Sequence, residues 1–220
     1  MPLAAVIFDF DGVVIDSHEA HGRSWFMLAE ELGQELTHET FVSTFGQRNE
    51  SILPFLGWAE EGDRERIQLL GDRKEGLYRE ILKADGIEPL PGVVALLKDL
   101  QANGIPCAIG TSTPRPNVEC VLELTGLGDY FTDIAASEDV TRGKPDPEVF
   151  LKAAAKLGAE PASCVVIEDA QVGIRAARAG GMKAVAVTTT HPAEALAPES
   201  PDRIVASLEE IDVSYLRGLW

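Results

Sequence analysis

The apolar run Ala5-Val6-Ile7-Phe8 is followed at once by Asp9-Phe10-Asp11-Gly12, and this junction limits the possible folds more than any other stretch of the chain. Consecutive Val, Ile and Phe read as a strand buried on both faces, as interior strands of a parallel sheet are. A carboxylate at the end of such a strand is costly to bury unless a cation or a set of donors compensates it. Residues two apart in a strand point to the same side, so Asp9 and Asp11 can converge just beyond it, and Gly12 lets the chain turn away. A hard divalent cation and a phosphate group are the simplest occupants of that point. An EF-hand is a poor alternative, because residues 13–20 lack its alternating oxygen ligands and closing Glu.

Composition narrows the partners. A chain of 220 residues is long enough for one large domain, or for one domain with a smaller insert. Its 36 acidic and 19 basic residues give a formal charge of -17, which repels nucleic acid and anionic lipid alike, so neither is expected as a partner. A substrate carrying phosphate must therefore meet a local positive charge or a metal ion. Cys107, Cys120 and Cys164 form no spacing motif, and an odd count points to a reducing compartment. With no signal-like N-terminal segment and no apolar run of about 20 residues, the expectation is a cytoplasmic protein, a monomer or a weak homodimer.

Along the chain, Trp25, Phe26, Leu28, Ala29 and Leu32 fall at helical spacing before Gly33, and Ile67, Leu70, Leu77 and Ile81 do so before Gly86. Residues 18–88 thus read as an all-helical insert, with 1–17 and 89–220 forming an α/β core. Within the core a helix around Val93–Leu100 precedes a strand at Ile105–Gly110. A helix from Pro116 to Gly126 and a strand at Asp133–Ala136 follow. Asp146-Pro147 supplies an N-cap and a first helical proline for the next helix. Strands at Cys164–Ile167 and Lys183–Val187 flank a helix near Val172–Ala179. Such alternation implies a doubly wound parallel sheet, whose functional residues sit beyond the carboxyl ends of its strands.

The polar residues occupy those places: Asp9 and Asp11 after the first strand, Thr111 and Ser112 after the second, Lys144 in the loop before a capped helix, and Glu168-Asp169 after Cys164–Ile167. They suit attack by a carboxylate on a phosphate monoester. Two anions must meet for that reaction, so Mg²⁺ and a lysine are needed to neutralise charge. Asp9 fits the nucleophile, Asp169 and Glu168 the metal site, Lys144 and Thr111 the phosphoryl oxygens. Asp11 is placed to protonate the leaving alkoxide and then deprotonate water.

Four ordered segments, Phe8-Asp9-Phe10-Asp11-Gly12-Val13, Ile109-Gly110-Thr111-Ser112, Arg142-Gly143-Lys144-Pro145-Asp146-Pro147 and Val166-Ile167-Glu168-Asp169-Ala170, make the chain resemble the haloacid dehalogenase superfamily over essentially its whole length. The resemblance implies a Rossmann-like core, an Asp nucleophile, and Mg²⁺ held by Asp9, the main-chain carbonyl of Asp11, and Asp169. The helical insert resembles the cap of the subfamily containing β-phosphoglucomutase, sugar-phosphate phosphatases and phosphoglycolate phosphatase, in which cap loops close over the site and choose the substrate. Phe45-Gly46-Gln47-Arg48-Asn49 matches their substrate-facing loop, making Gly46, Arg48 and Asn49 expected substrate contacts, and His21 matches a cap histidine. Asp11 argues against the dehalogenases themselves, which lack it.

Several positions carry two readings. Arg48 is a substrate ligand or a solvated charge, His21 a site residue or a packed cap histidine, and Arg115 an anion reader or part of a Pro-Arg-Pro turn. Glu168 either touches the ion or orients its water shell. The expected activity is hydrolysis of a small sugar or polyol phosphate through an aspartyl-phosphate. A β-phosphoglucomutase-type mutase is the alternative, disfavoured because Thr111-Ser112-Thr113-Pro114-Arg115 departs from the Ser-x-Ser-Lys-Asn pattern of such mutases. A non-enzymatic phospho-accepting module is the third reading; its acceptor Asp would not lie on the first strand.

Overall fold

The computed structural model describes residues 3–44 and 48–220. Its contacts define two compact units, Met1–Asp16 with Ile87–Trp220, and Ser17–Gly86. The chain opens with β1 (Ala5–Phe8) and runs into the helices of the second unit, α1 (His18–Leu32), α2 (His38–Thr44), α3 (Asn49–Phe55) and α4 (Arg64–Asp85). It continues through α5 (Val93–Ala102), β2 (Cys107–Gly110), α6 (Arg115–Thr125), β3 (Asp133–Ala135), α7 (Glu148–Lys156) and β4 (Cys164–Glu168). The last elements are α8 (Gln171–Ala179), β5 (Lys183–Val187), α9 (Ala193–Leu196), β6 (Arg203–Val205) and α10 (Val213–Arg217).

The six strands form one sheet in the order β3-β2-β1-β4-β5-β6, and every neighbouring pair is parallel. This is the doubly wound α/β arrangement expected from the alternation. With β1 interior to the sheet, Ala5 to Phe8 are closed to solvent, which is why an uninterrupted apolar run was needed there. Ala5 and Ile7 on one face pack with Ala108, Val166, Ala184, Val149, Phe150 and Ile174. Each fully buried side chain of the Ile or Phe type contributes about 1.5–3 kcal/mol.

Register fixes the site. Phe8 pairs with Ile109 and with Ile167, so Asp9, Gly110 and Glu168 emerge at one level at the carboxyl ends of three adjacent strands. The Asp9 N–H still donates to the Ile167 carbonyl at 2.9 Å, and the Thr111 N–H to the Ala135 carbonyl at 2.9 Å, so the loops leave the sheet from anchored positions.

The helical unit packs Trp25, Leu28, Phe41, Ile52, Leu53, Trp58, Leu70 and Leu77 into its own core. The periodicity anticipated α1 and α4; α2 and α3, at seven residues each, are too short to show it. The edge strand β6 carries three residues and also left no pattern in the sequence. One cap expectation is corrected: α7 begins at Glu148, and Pro147, with φ -73° and ψ -2°, occupies the N-cap position expected for Asp146. Asp146 Oδ1 nevertheless accepts from the Glu148 N–H at 3.0 Å, so it still serves the start of the helix. No helix among the described residues is long and apolar enough to cross a membrane.

Candidate active site

Asp9, Glu168 and Asp169 are buried and can each present a carboxylate oxygen within 4.8 Å of the others. Lys144 reaches them from the loop before α7. Its Nζ lies 2.8 Å from Asp9 Oδ1 and 2.7 Å from Glu168 Oε1, and the lysine side chain is only 6% exposed. Burial pushes the Asp9 carboxyl up to about 7, against the opposing pull of Lys144. Burial, then the charges of Glu168 and Asp9, pushes Asp169 up to about 8. For Lys144 burial acts downward, but Asp9 and Glu168 outweigh it and hold the ammonium well above its ordinary value.

Three carboxylates against one ammonium leave an excess of two negative charges when all are ionised. Buried excess charge of that sign, on hard oxygen donors only, fits a divalent cation of the Mg²⁺ or Ca²⁺ class.

The backbone is shaped around this cluster. Gly12 has φ +80°, and a Cβ there would lie 2.1 Å from Asp169 Oδ2, so a side chain is excluded twice over. Gly173 at the start of α8 would place a Cβ 1.6 Å from Glu168 Oε1. Glu168 Oε2 in turn accepts from the Ala170 N–H at 2.7 Å, leaving Oε1 for Lys144. Thr190, in the loop after β5, hydrogen-bonds Asp169, and the Thr189 hydroxyl donates to the Gly12 carbonyl.

On the opposite side of β1, Thr111 is buried and its Oγ1 accepts from the Thr113 N–H at 3.1 Å. That bond uses a lone pair and leaves the hydroxyl proton for another acceptor. The Thr113 hydroxyl donates to Asp11 Oδ2. Ser112 is exposed. Arg115 donates to Asp139 Oδ2 at 2.6 Å and to the Ile134 carbonyl at 3.0 Å, which ties α6 to the segment around β3. Both bonds are made by Nη2, so that nitrogen of the guanidinium serves structure.

The remaining sequence candidates lie in the helical unit. His21 Nδ1 is 2.7 Å from Lys74 Nζ, and its ring stacks on Tyr78 at 4.1 Å. Lys74 is buried, pairs with Glu75 at 3.2 Å and faces the Trp25 ring at 5.5 Å. Asn49 donates to Glu75 Oε1 at 2.9 Å. Arg48 is exposed at the start of α3, 3.8 Å from Glu50. Gly46 lies outside the described residues. Lys74, Glu75, Thr113 and Thr190 were not singled out from sequence. For Lys74 a signal existed, since it lies one helical turn from both Leu70 and Tyr78 on the apolar side of α4.

The fold and this cluster define a doubly wound α/β enzyme core with a carboxylate-lysine centre at the strand ends. The sequence pattern of haloacid dehalogenase-like hydrolases matches residues 3–181, and the chain belongs to that family. It is 33% identical to the fructose-1-phosphate phosphatase YqaB of Escherichia coli (strain K12), covering 84% of this chain and 96% of that protein. It is 35% identical to hexitol phosphatase A of the same organism, covering 94% and 93%. The crystal structure of β-phosphoglucomutase from Clostridium difficile superposes with a TM-score of 0.84 at 28% identity, covering 99% of this chain and 96% of that one.

Proposed function

We propose that this protein is a Mg²⁺-dependent phosphatase that hydrolyses a small sugar or polyol phosphate through an aspartyl-phosphate on Asp9. The observation that carries the reading is the buried Asp9 carboxylate, in contact with Lys144 and grouped with Glu168 and Asp169 at the carboxyl ends of adjacent strands. Two relatives named as fructose-1-phosphate and hexitol phosphatases support the substrate class.

Asp9, the Asp11 carbonyl and Asp169 would hold Mg²⁺, with Glu168 orienting the site through Lys144. When bound, the ion supplies positive charge that lets a carboxylate approach a phosphate dianion. The residues of the chain do the rest. An Asp9 oxygen attacks phosphorus, and the P–O bond to the alkoxide breaks in line with it. Lys144 balances the charge gathering on the phosphoryl oxygens, and the hydroxyls of Thr111 and Ser112 donate to them. Asp11 gives its proton to the departing alkoxide, then takes one from the water that attacks phosphorus and releases Asp9. His21, Arg48, Asn49 and Gly46 are the residues we propose for telling substrates apart.

Transfer to a sugar hydroxyl instead of water is the second reading, supported by the likeness to a β-phosphoglucomutase structure. The departure of Thr111-Ser112-Thr113-Pro114-Arg115 from the mutase pattern weighs against it. The deciding experiment is release of inorganic phosphate from hexitol and hexose phosphates with Mg²⁺, run beside conversion of β-glucose 1-phosphate in the presence of a bisphosphate. Phosphate release without isomerisation supports the phosphatase. Isomerisation with little release replaces it by the mutase, and neither activity overturns both.

A further inference from the structure

We infer that Thr113 is a positioning residue for the acid–base carboxylate of Asp11, holding it in one orientation through both halves of the reaction. The inference rests on the phosphatase reading and names a residue that the four sequence motifs do not include. Asp11 sits on a turn, where its backbone is fixed by the bond from the Gly12 N–H to the Ile15 carbonyl at 2.7 Å. Backbone fixing does not set a side chain with two free torsions, one of them broad. The Thr113 hydroxyl supplies a partner by donating to Asp11 Oδ2.

Thr113 is itself well held. It is buried, its N–H donates to Thr111 Oγ1 at 3.1 Å, and its carbonyl accepts from the Ser137 N–H at 3.3 Å. Just beyond it, the Arg115 N–H is bonded to Glu138 and the Arg115 guanidinium to Asp139. A donor anchored on the β2 side of the site therefore reaches across to a carboxylate that follows β1. The same bond links Asp11 to Thr111, the proposed phosphate ligand, through one residue.

The chemistry suits an acid–base group in particular. When Asp11 carries its proton on Oδ1, Oδ2 is a carbonyl oxygen and still accepts from Thr113. When the proton has gone to the leaving oxygen, Oδ2 is half of a carboxylate and accepts more strongly. The bond thus survives the transfer, and Oδ1 remains the oxygen that exchanges protons with alkoxide and water.

The test uses leaving groups. A sugar alkoxide must be protonated as it departs, whereas p-nitrophenolate leaves without a proton. Thr113→Val, which keeps the shape and removes the hydroxyl, is expected to lower kcat/KM on sorbitol 6-phosphate by about ten- to a hundredfold, and to lower kcat on every substrate because water attack also needs Asp11. On p-nitrophenyl phosphate it should lower kcat/KM, which reports formation of the aspartyl-phosphate alone, by less than about threefold, and Thr113→Ser should recover most of the sorbitol 6-phosphate rate. In an Asp11→Asn background the valine change should cost nothing more, a comparison that also serves with Thr113→Ala if the valine variant does not fold. Equal losses of kcat/KM on both substrates, an unchanged kcat, or full additivity with Asp11→Asn would overturn the inference while wild-type phosphate release leaves the parent reading standing. Absence of phosphate release by the wild type would overturn the parent reading and this one together.

Discussion

Lys144 Nζ lies 2.8 Å from Asp9 Oδ1, with the side chains 6% and 12% exposed. The ammonium is the charge that makes this buried carboxylate, the proposed nucleophile, tolerable, and it falls short of doing so completely, because burial still drives the Asp9 carboxyl up to about 7. The shortfall leaves electrostatic room that the proposed divalent ion would fill.

Replacing Lys144 by Met removes that ammonium and leaves Asp9 and Glu168 facing each other. Loss of one partner of a buried pair costs about 3–5 kcal/mol where the other charge stays, and less where it takes up a proton instead. The variant should unfold at lower denaturant, with phosphate release reduced by about a hundredfold or more. Denaturation midpoints and turnover measured on one preparation check this; wild-type values for both would remove Lys144 from the site.

Asp9→Asn separates chemistry from stability. The amide keeps the shape and lacks both the nucleophilic oxygen and the negative charge, so turnover should vanish. The metal-free variant should melt at or above the wild-type temperature, because a buried charge beside Glu168 and Asp169 is gone while Lys144 keeps its bond to Glu168. Wild-type phosphate release by this variant would rule out a covalent intermediate on Asp9.

The parts of this site that were legible in the sequence are those with no packing reason to exist. A carboxylate at the end of an apolar strand, as at Asp9 and Asp169, or a lysine between Gly and Pro breaks, as at Lys144, has no role in a core or a turn, and register then brings the three strand ends level. Thr113 and Thr190 were illegible because a threonine after a strand is ordinary turn chemistry. Their partners, Asp11 and Asp169, are distant in the chain. Lys74 was missed because a lysine on a charged helix reads as solvated. Its burial follows from Trp25, His21 and Tyr78, contributed by two helices. The short helices α2 and α3 and the edge strand β6 take their form from contacts rather than local pattern, so no periodicity announced them.

Asp169→Asn should uncouple the protein from Mg²⁺. A ligand that binds only the folded state at a hundred times its Kd stabilises by about 2.7 kcal/mol. Wild-type protein should therefore melt higher in Mg²⁺ than in chelator, and the variant should show little of that difference. Calorimetric titration of Mg²⁺ gives the same answer without any turnover. An unchanged Mg²⁺-dependent shift in the variant would place the ion elsewhere.

The last prediction concerns the segment that leads into Lys144. Glu148 Oε2 accepts from the Thr141 N–H at 3.0 Å, the Thr141 hydroxyl at 2.9 Å and the Arg142 N–H at 2.9 Å. Its other oxygen lies 2.9 Å from Lys152 Nζ. Lys152, then the Arg142 and Thr141 donors, hold the Glu148 carboxyl at about 2, below its ordinary 4.5. A carboxyl whose folded value is depressed contributes stability that is present above the ordinary value and is lost as pH falls through the folded one. Glu148→Gln does not titrate, and every other carboxyl titrates in both proteins and cancels in the difference. The wild type should therefore melt above the variant near neutral pH. The gap should narrow steadily between about pH 4.5 and pH 2, and it should shrink with added salt because the bonds lie at the surface. A gap that stayed constant with pH would mean that the glutamine had cost the loop its shape rather than its charge.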